Sequence, residues 1–453
     1  MTVDILVAEI GSTTTLVNAF DGIGTDGVRF VCQGQAATSV LDGDVRIGLR
    51  AAIEDLSRRL GTQVSYREMF ATSSAAGGLR MCVHGLVYDM TVRAAHAAAL
   101  GAGAIVRMAT AGKLTPGDID ELHAQRPNLI MIAGGTDYGE RDTAVFNARA
   151  IAASGLKTPV IFAGNVQCRR EVEAALEQAG IPCYTTENVY PKLDKLNIEP
   201  ARRLIHAAFE EHIVKAPGME RIRDMVSGSI MPTPGAVMEA ARLLYEDMGD
   251  LLVVDIGGAT TDVHSVTEGS PEIAAMLISP EPMAKRTVEG DLGLYVNAAN
   301  LVRLIGEDRL RAELGIDVGR TMERYKPVPD TPEQFALTQR LCLEAGITAV
   351  RRHAGELRYI YSPQGRQTIA EGKDLSITAS IIGTGGALTR LPDRAALLRG
   401  IADCNKHGAM LYPKPGELTT LHDDDYIMAS AGVLARRFPA DALKLMKRSL
   451  KPA

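Results

Sequence analysis

The sequence predicts an α/β protein in which two related lobes face one ligand and a small parallel-sheet domain is inserted into the first lobe. Two observations predict the lobes: a strand that ends in a carboxylate and an Ile-Gly turn occurs near residue 9 and again near residue 255. A third observation predicts the insertion, because residues 128–185 alternate strand and helix patterns in a βαβαβ order.

The clearest element lies at residues 251–263, which read LLVVDIGGATTDV. A run of β-forming residues ends in Asp255, then two glycines and two threonines follow, and this predicts a strand, a tight turn and a return strand. Glycine lets the backbone approach a bulky anion, and successive N–H groups in such a turn bind anions. A carboxylate at the end of a buried strand could hold a hydrated Mg²⁺. The alternative is an ordinary β-hairpin in which Asp255 only caps the turn.

The same pattern stands near the N-terminus, at residues 4–20. An apolar strand ends in Glu9, and Ile-Gly, a run of hydroxyl residues and a second apolar segment follow. Clefts between two lobes are common ligand sites. We therefore expect the two copies to belong to related lobes that face one ligand.

A third element follows the strand predicted at residues 377–382. The loop Gly383-Thr384-Gly385-Gly386 comes next and leads into a helix. Two glycines at a strand-to-helix turn would allow a flat ring to lie against bare backbone. The alternative is an ordinary strand–helix connection.

The predicted insertion contains strands at residues 128–133, 159–163 and 181–185, with helices at 143–154 and 169–179 between them. Glycine-rich loops at the carboxyl ends of parallel strands could bind a ligand. Those glycines could equally serve only to make tight turns. Elsewhere the pattern predicts a strand at residues 272–279 and helices at residues 45–60, 91–108, 199–214, 235–248, 332–353 and 426–437.

The composition is that of an ordinary globular protein and argues against several functions. The 453 residues carry a net charge of −6, aromatic residues make up 4%, and tryptophan is absent. A chain that has no excess of positive charge and few aromatic side chains on which bases could stack is not expected to bind nucleic acid. No apolar run reaches membrane-spanning length and no signal-peptide pattern precedes the first strand, so we expect a cytoplasmic protein with no membrane association.

These segments resemble the phosphate 1, phosphate 2 and adenosine motifs of the actin, Hsp70 and sugar-kinase ATPase superfamily. More narrowly, the chain resembles the glutamate mutase accessory proteins known as GlmL or MutL, which are unrelated to the mismatch-repair MutL. The narrower resemblance spans nearly the whole chain and is carried by residues 73–79, 133–137, 163–165, 231–234, 255–262, 287–293, 352–355 and 383–388.

The resemblance implies an actin-like two-lobed fold with duplicated ribonuclease H-like domains and an inserted βαβαβ domain. It divides the chain into a first lobe at residues 1–114, a Rossmann-like insertion at 115–198, connecting helices at 199–248 that complete the first lobe, and a second lobe at 249–453. The insertion is the best candidate for a surface that docks a partner.

The resemblance also implies a site for ATP and Mg²⁺. Glu9 and Asp255 are expected to hold the metal and to orient the attacking water. A loop at residues 287–293 would lie beside the nucleotide, although Asp291 could simply cap the following helix. The expected nucleotide-binding residues are Gly11, Ser12, Thr13, Thr14, Gly257, Gly258, Thr260, Thr261, Glu289, Gly290, Asp291, Gly383, Thr384, Gly385 and Gly386.

By resemblance, the function is that of an ATP-dependent accessory factor that reactivates an adenosylcobalamin-dependent mutase, such as glutamate mutase (methylaspartate mutase). Glu9 stands where the superfamily usually has aspartate, which implies slow hydrolysis or a mainly nucleotide-sensing role. The alternatives are a metabolite kinase and a nucleotide-dependent scaffold. Six scattered cysteines with no C-x-x-C pair argue against an activator that carries an iron–sulfur cluster. The sequence does not predict the oligomeric state.

Overall fold

The computed structural model describes residues 1–11, 13–74, 79–193, 195–278, 280–362, 365–408 and 410–453. The strands of this described part are β1 (Thr2–Ile10), β2 (Thr14–Asp21), β3 (Arg29–Ala37), β4 (Ser65–Ser73), β5 (Arg80–Gly85), β6 (Ile105–Ala111), β7 (Leu129–Ile132), β8 (Val160–Phe162), β9 (Cys183–Thr185), β10 (Ile230–Pro232), β11 (Leu251–Ile256), β12 (Thr261–Val266), β13 (Ala284–Glu289), β14 (Glu356–Ser362), β15 (Gly365–Glu371), β16 (Ser380–Thr384), β17 (Thr419–Asp423) and β18 (Leu450–Pro452).

Its α-helices are α1 (Val45–Leu60), α2 (Arg93–Gly101), α3 (Pro116–Gln125), α4 (Asp142–Ala153), α5 (Arg169–Gln178), α6 (Glu199–Ile213), α7 (Thr233–Met248), α8 (Pro271–Ala274), α9 (Ala298–Ile305), α10 (Glu307–Leu314), α11 (Val318–Glu323), α12 (Pro332–His353), α13 (Gly385–Arg390), α14 (Arg394–Ala402), α15 (Met428–Ala435) and α16 (Pro439–Ser449). None of the helices in the described ranges combines the length and the apolar character that crossing a membrane requires.

Two sheets repeat one topology, which confirms the predicted duplicated α/β fold. The first has the strand order β10-β4-β1-β2-β3, and the second has the order β17-β16-β11-β12-β13 with β18 added at its edge. In each, the central strand pairs antiparallel with its hairpin partner and parallel with the strand on its other side. The two lobes therefore place their central hairpins at equivalent positions.

Helices α7 and α15 pack against each other where the two sheets meet. Ala236 and Ala240 of α7 and Ala431 and Val433 of α15 belong to one buried cluster that also contains strand residues of both sheets. A Cβ atom on Gly432 would lie 1.8 Å from the carbonyl oxygen of Ala236, so only glycine allows this approach. The small residues of α15 thus form the face that this helix buries against α7.

A third sheet has the order β6-β5-β7-β8-β9, and all its strands are parallel. Helices α4 and α5 connect β7 to β8 and β8 to β9, which is the predicted βαβαβ unit. Strands β5 and β6 also belong to this sheet, although both precede residue 115, where the predicted insertion begins. The domain boundaries given above remain predictions.

The helix predicted at residues 91–108 is shorter in the structure, since α2 ends at Gly101 and β6 begins at Ile105. Gly103 has a left-handed backbone with φ of +87°, a conformation that ends helices readily. The alanine-rich pattern extends beyond this point, and it is therefore a poor guide to the helix end.

The strand predicted at residues 272–279 is also wrong. Its first residues form the short helix α8, in which Pro271 follows Ser270 and the Ser270 side chain accepts a hydrogen bond from the N–H of Ile273. The outer strand is instead β13, where Lys285 and Arg286 are buried.

Helix α12 has the predicted bounds because its ends carry clear local signals. The Thr331 side chain accepts a hydrogen bond from the N–H of Gln334, Pro332 occupies the first turn, and three basic residues lie in the last turn. This helix packs behind the second sheet, with Leu341 and Ala345 in the core of that lobe.

Candidate functional site

The two central hairpins are closed by the same backbone hydrogen bond. The N–H of Gly11 donates to the carbonyl oxygen of Thr14 over 2.9 Å, and the N–H of Gly257 donates to that of Thr260 over 3.0 Å. The carboxylate precedes the glycine by two residues in both hairpins. The repeat seen in the sequence is therefore a repeat of backbone geometry. Ser12, a predicted site residue, lies outside the described residues.

Glu9 is the carboxylate of the first hairpin and is almost fully buried. Its Oε1 accepts hydrogen bonds from Asn18 Nδ2 at 3.1 Å and from Ser430 Oγ at 2.6 Å. Burial raises the pKa of Glu9 to about 7; the hydrogen bond from Ser430 opposes this shift, and the charges of Asp423 and Asp255 add to it. The charge of Asp255 in the second lobe thus acts on Glu9 in the first lobe, and a shared nucleotide site for the two carboxylates stays a prediction.

Asp255 is the carboxylate of the second hairpin. Burial raises its pKa to about 7, the nearby charges of Asp262 and Asp423 raise it further, and Arg286 acts in the opposite direction. Gly385 approaches this carboxylate so closely that a Cβ atom there would lie 2.4 Å from Asp255 Oδ1. The predicted adenosine loop and the second phosphate hairpin thus meet at Asp255.

Asp423 is a third carboxylate at this place, and the sequence reasoning missed it. It ends β17 and accepts hydrogen bonds from Thr384 Oγ1 at 3.0 Å and from the N–H groups of Ile427 and Met428 at 3.1 and 2.9 Å. In the sequence, the three adjacent aspartates at residues 423–425 are most simply interpreted as charges at the N-terminal end of a helix, and the contacts of Asp423 with Ile427 and Met428 agree with this interpretation. It did not reveal that β17 lies beside β16 and brings Asp423 to the site.

Tyr426 is a further residue that the sequence did not indicate. Its backbone is left-handed, with φ of +54°, which is unusual for a bulky residue and marks local strain. Burial, together with the charges of Asp255, Glu9 and Asp423, holds the pKa of its hydroxyl well above the usual value. The Tyr426 hydroxyl is therefore within reach of the charges of both lobes.

The hydroxyl residues of the hairpins differ in their surroundings. Thr13 is exposed and Thr14 is half-buried. Thr260 Oγ1 donates to Asp262 Oδ2 at 3.0 Å, and Thr261 Oγ1 donates to the carbonyl oxygen of Leu292 at 2.9 Å. The hydroxyls of Thr260 and Thr261 are thus both bonded within their own lobe, whereas Thr13 and Thr14 of the first hairpin are more accessible.

The predicted loop around residues 289–291 contacts α12. Arg352 Nη1 donates to Glu289 Oε2 at 2.5 Å and to Asp291 Oδ1 at 2.8 Å. These carboxylates raise the pKa of Arg352, and Arg352 lowers the pKa of Asp291. Both acidic side chains are therefore held by a protein cation, while Gly290 faces open space, because a Cβ atom there would meet nothing within 4 Å.

The glycines around the hairpins bring three loops together. Gly258 accepts hydrogen bonds at its carbonyl oxygen from the N–H groups of Tyr295 and Val296, each at 2.9 Å. Gly383 lies inside β16, beside Leu388 and Leu398. Gly386 faces open space next to Gly385. The second phosphate hairpin is thus bonded to the segment that follows the 289–291 loop, and Gly385 brings the 383–386 loop against Asp255 and Ile256.

The carboxylates of Glu9, Asp255 and Asp423 form an acidic cluster. This cluster fits a hydrated Mg²⁺ better than a metal held by protein ligands alone. Across the described ranges, no three His, Cys, Asp or Glu side chains form a complete metal site. Mg²⁺ usually keeps several waters and takes one or two carboxylates together with phosphate oxygens. Glu9 and Asp255 could provide those carboxylates, and a divalent cation would favour the ionised forms that burial disfavours.

Comparison with known proteins connects this arrangement to a family. The model of the MutL protein family matches residues 5–450. Protein MutL of Clostridium tetanomorphum is 37% identical over 461 residues, which cover 98% of each chain.

Two solved structures align over most of the chain with low scores. The nucleotide-free acetone carboxylase is 15% identical with a TM-score of 0.36 and covers 96% of this chain and 70% of its own. A glycerol dehydratase reactivase is 11% identical with a TM-score of 0.30 and covers 95% of this chain and 99% of its own. Scores this low support no inference about activity. The family match extends over nearly all residues, and the chain belongs to the MutL protein family, the glutamate mutase accessory family indicated by its motifs.

Proposed function

We propose that the protein binds ATP with Mg²⁺ and acts as an accessory, reactivating factor for an adenosylcobalamin-dependent mutase such as glutamate mutase. One observation carries the nucleotide part of the proposal: two hairpins closed by the same backbone hydrogen bond bring Glu9 and Asp255 into one acidic cluster, in which the charge of Asp255 raises the pKa of the buried Glu9. Membership in the MutL protein family supports the mutase part.

In this proposal the backbone of the two hairpins binds the phosphates, together with the hydroxyls of Thr13 and Thr14. Glu9 and Asp255 hold a hydrated Mg²⁺, whose charge stabilises the phosphate oxygens. Gly385 and Gly386 leave room for the nucleoside against the backbone. Slow hydrolysis is expected, because the longer Glu9 side chain stands where aspartate is usual.

The contacts of Glu9 offer a route from the nucleotide to the lobes. Its Oε1 accepts a hydrogen bond from Ser430 in α15, and α15 packs on α7 through Gly432. A second contact between the lobes runs from Arg390 Nη2 to Gln33 Oε1 at 3.0 Å, and Gln33 Nε2 donates to Asn18 Oδ1 at 2.8 Å. A change in the charge of Glu9 would alter this network and the angle between the lobes.

The first experiment measures ATP binding and turnover by the pure chain with Mg²⁺, beside the variants Asp255→Ala and Asp308→Ala. Asp308 is a fully exposed carboxylate in α10 and serves as the control. We expect slow turnover and binding that is lost only in Asp255→Ala. The nucleotide proposal is wrong if wild-type protein binds no ATP, or if both variants bind it equally.

The second experiment tests the partner. A cognate mutase inactivated by turnover is incubated with this chain and ATP, and recovery of its activity on fresh adenosylcobalamin is measured. The Asp255→Ala variant should give no recovery. Turnover that rises with one small metabolite and forms its phosphorylated product in equal amount would favour the metabolite kinase instead.

A further inference from the structure

The inserted parallel sheet contains a cavity of about 290 Å³ that the proposed nucleotide site does not use. The cavity lies where the loops after β7, β8 and β9 converge, at the carboxyl ends of these strands. In open parallel sheets, ligands bind at this edge. The volume is near the lower limit, about 300 Å³, of cavities that hold small-molecule ligands.

The polar side chains of the cavity include charges of both signs. Arg169 and Lys195 supply the positive charges, and Asp137 and Glu187 supply the negative charges. Within the described residues, none of these four side chains forms a salt bridge, although all of them line the same small space. A cavity that leaves both signs unpaired is suited to a ligand that also carries both.

The arrangement does not suit a phosphate or a dinucleotide. The helical turn before α5 points its first N–H groups toward the cavity loops, where phosphates bind in many parallel-sheet proteins. Here the N–H of Val166 donates to Asp137 Oδ1 at 3.0 Å and that of Gln167 donates to Asn165 Oδ1 at 3.0 Å. A carboxylate of the protein already occupies the position at which a phosphate would bind.

Hydrogen bonds to neighbouring residues orient the charged side chains of the cavity that could still bind a ligand. Asn188, which is buried, donates through Nδ2 to Asp137 Oδ1 at 3.1 Å, and Asn197 Nδ2 donates to Glu187 Oε2 at 3.0 Å. Within the described part of the chain, these contacts leave Asp137 Oδ2 and Glu187 Oε1 without a hydrogen bond. Arg169 donates through Nη2 to the carbonyl oxygen of Thr186 at 2.7 Å, but its buried Nε has no partner there.

We propose that this cavity binds a free α-amino acid. The carboxylate of the amino acid pairs with the guanidinium of Arg169, which lines the cavity. Its ammonium group pairs with Glu187 and Asp137, which supply the two open carboxylate oxygens. Binding at this site does not require ATP. The fraction of the protein that carries the amino acid would follow the concentration of the free amino acid.

The test titrates the full-length protein calorimetrically with each of the proteinogenic L-α-amino acids. For any that binds, the matching amine without the carboxylate and the matching acid without the amino group are titrated too. The variants are Arg169→Gln and Glu187→Gln, with Arg170→Gln and Glu171→Gln as controls. Both control residues are exposed and lie beside Arg169 on the same helix without lining the cavity.

We expect at least one amino acid to bind, with Kd raised about tenfold or more in each cavity variant and unchanged in the controls, since one charge-assisted pair is lost. Both single-charge analogues should bind more weakly than the amino acid. The proposal is overturned if none of the amino acids binds at millimolar concentration, if the cavity variants bind as wild type does, or if an analogue with one charge binds equally well. ATP binding is measured on the same variants and should not change, so failure here is distinguishable from failure of the nucleotide site.

Discussion

The guanidinium of Arg286 joins the carboxylate of Asp262 beside the candidate nucleotide site to the end of helix α2. Arg286 Nη2 donates to Asp262 Oδ1 at 2.6 Å, and its Nη1 donates to the carbonyl oxygens of Leu100 and Ala104 at 3.0 and 3.3 Å. Both side chains of the pair are buried. Because Asp262 raises the pKa of Asp255 and Arg286 opposes this shift, the pair also sets the charge environment of Asp255.

Replacing Arg286 with methionine is therefore expected to destabilise the protein by about 3–5 kcal/mol, because Asp262 would remain as a buried carboxylate without its cation. The same change should weaken Mg²⁺-dependent ATP binding, since the charge that favours ionised Asp255 is lost. Urea unfolding gives the stability change, and calorimetry gives the affinity.

The matched control is Arg309→Met, which removes an arginine from the exposed pair Arg309–Glu313 in α10. An exposed pair of this kind contributes at most about 1 kcal/mol, so this variant should unfold almost as wild type does. The double variant Arg286→Met/Asp262→Leu should recover much of the lost stability, because no unpaired charge is left. Equal stability of both single variants would contradict a structural role for the buried pair.

Gly385 provides a sharper test of the adenosine loop. Its φ is +82°, and a Cβ atom would lie 2.4 Å from Asp255 Oδ1 and 2.7 Å from the backbone nitrogen of Ile256. Gly385→Ala should cost about 1–3 kcal/mol of stability and abolish ATP binding, because the loop and the Asp255 carboxylate cannot both keep their positions. Gly117→Ala, at an exposed position in the first turn of α3, is the control, since its Cβ would lie 3.8 Å from the nearest atom and far from the proposed site in the sequence. If the two variants bind ATP equally, the loop does not depend on this approach.

Gly432→Ala tests the packing of α15 on α7. The new methyl group would lie 1.8 Å from the carbonyl oxygen of Ala236, so the helices must separate and the cost should be about 1–3 kcal/mol. Gly319→Ala, in the helix α11, places its methyl group 3.6 Å from the nearest atom and should be neutral or slightly stabilising. Thermal unfolding of the two variants makes the comparison. A stable Gly432→Ala protein would mean that the helices can separate at little cost.

The sequence predicted the two hairpins because their signals are local. A carboxylate, an Ile-Gly pair and hydroxyl residues stand within a few positions of one another, and the repeated turn at Gly11 and Gly257 follows from them. Helix α12 was predicted with its bounds for the same reason, since Thr331 and Pro332 mark its start. Local signals of this kind need no knowledge of the tertiary fold.

Residues that depend on tertiary contacts were not predicted. Asp423 reaches the acidic cluster only because β17 pairs with β16, and the sequence around residue 423 indicates nothing beyond charges before a helix. Arg286 resembles an exposed cation until Asp262 and the carbonyl oxygens of α2 are placed around it. Such a buried charge is recognisable only after its partners are known.

The pH dependence of stability offers a test of the acidic cluster without any ligand. Glu9 and Asp255 have folded pKa values near 7, above their ordinary values of 4.5 and 3.8. A raised carboxyl pKa means that the folded state holds its proton more tightly than the unfolded chain does. The stability that these protons contribute is complete below about pH 4 and is lost progressively as the pH rises to about 7, with a slope of about 1.4 kcal/mol per pH unit for each carboxyl.

Glu9→Gln and Asp255→Asn remove these titrations and keep the side-chain shapes. Each variant should therefore be more stable than wild type at pH 8 and lose this advantage at pH 5, when the wild-type carboxyls are protonated. The control Asp308→Asn, at a fully exposed position, should follow the wild-type profile at both values. Added Mg²⁺ should stabilise wild type at pH 8 more than either cluster variant, because the cation favours two ionised carboxylates that the variants lack. Identical unfolding profiles for wild type and Glu9→Gln across this pH range would contradict the raised pKa of Glu9. They would show that Glu9 is already ionised in the folded protein at pH 5.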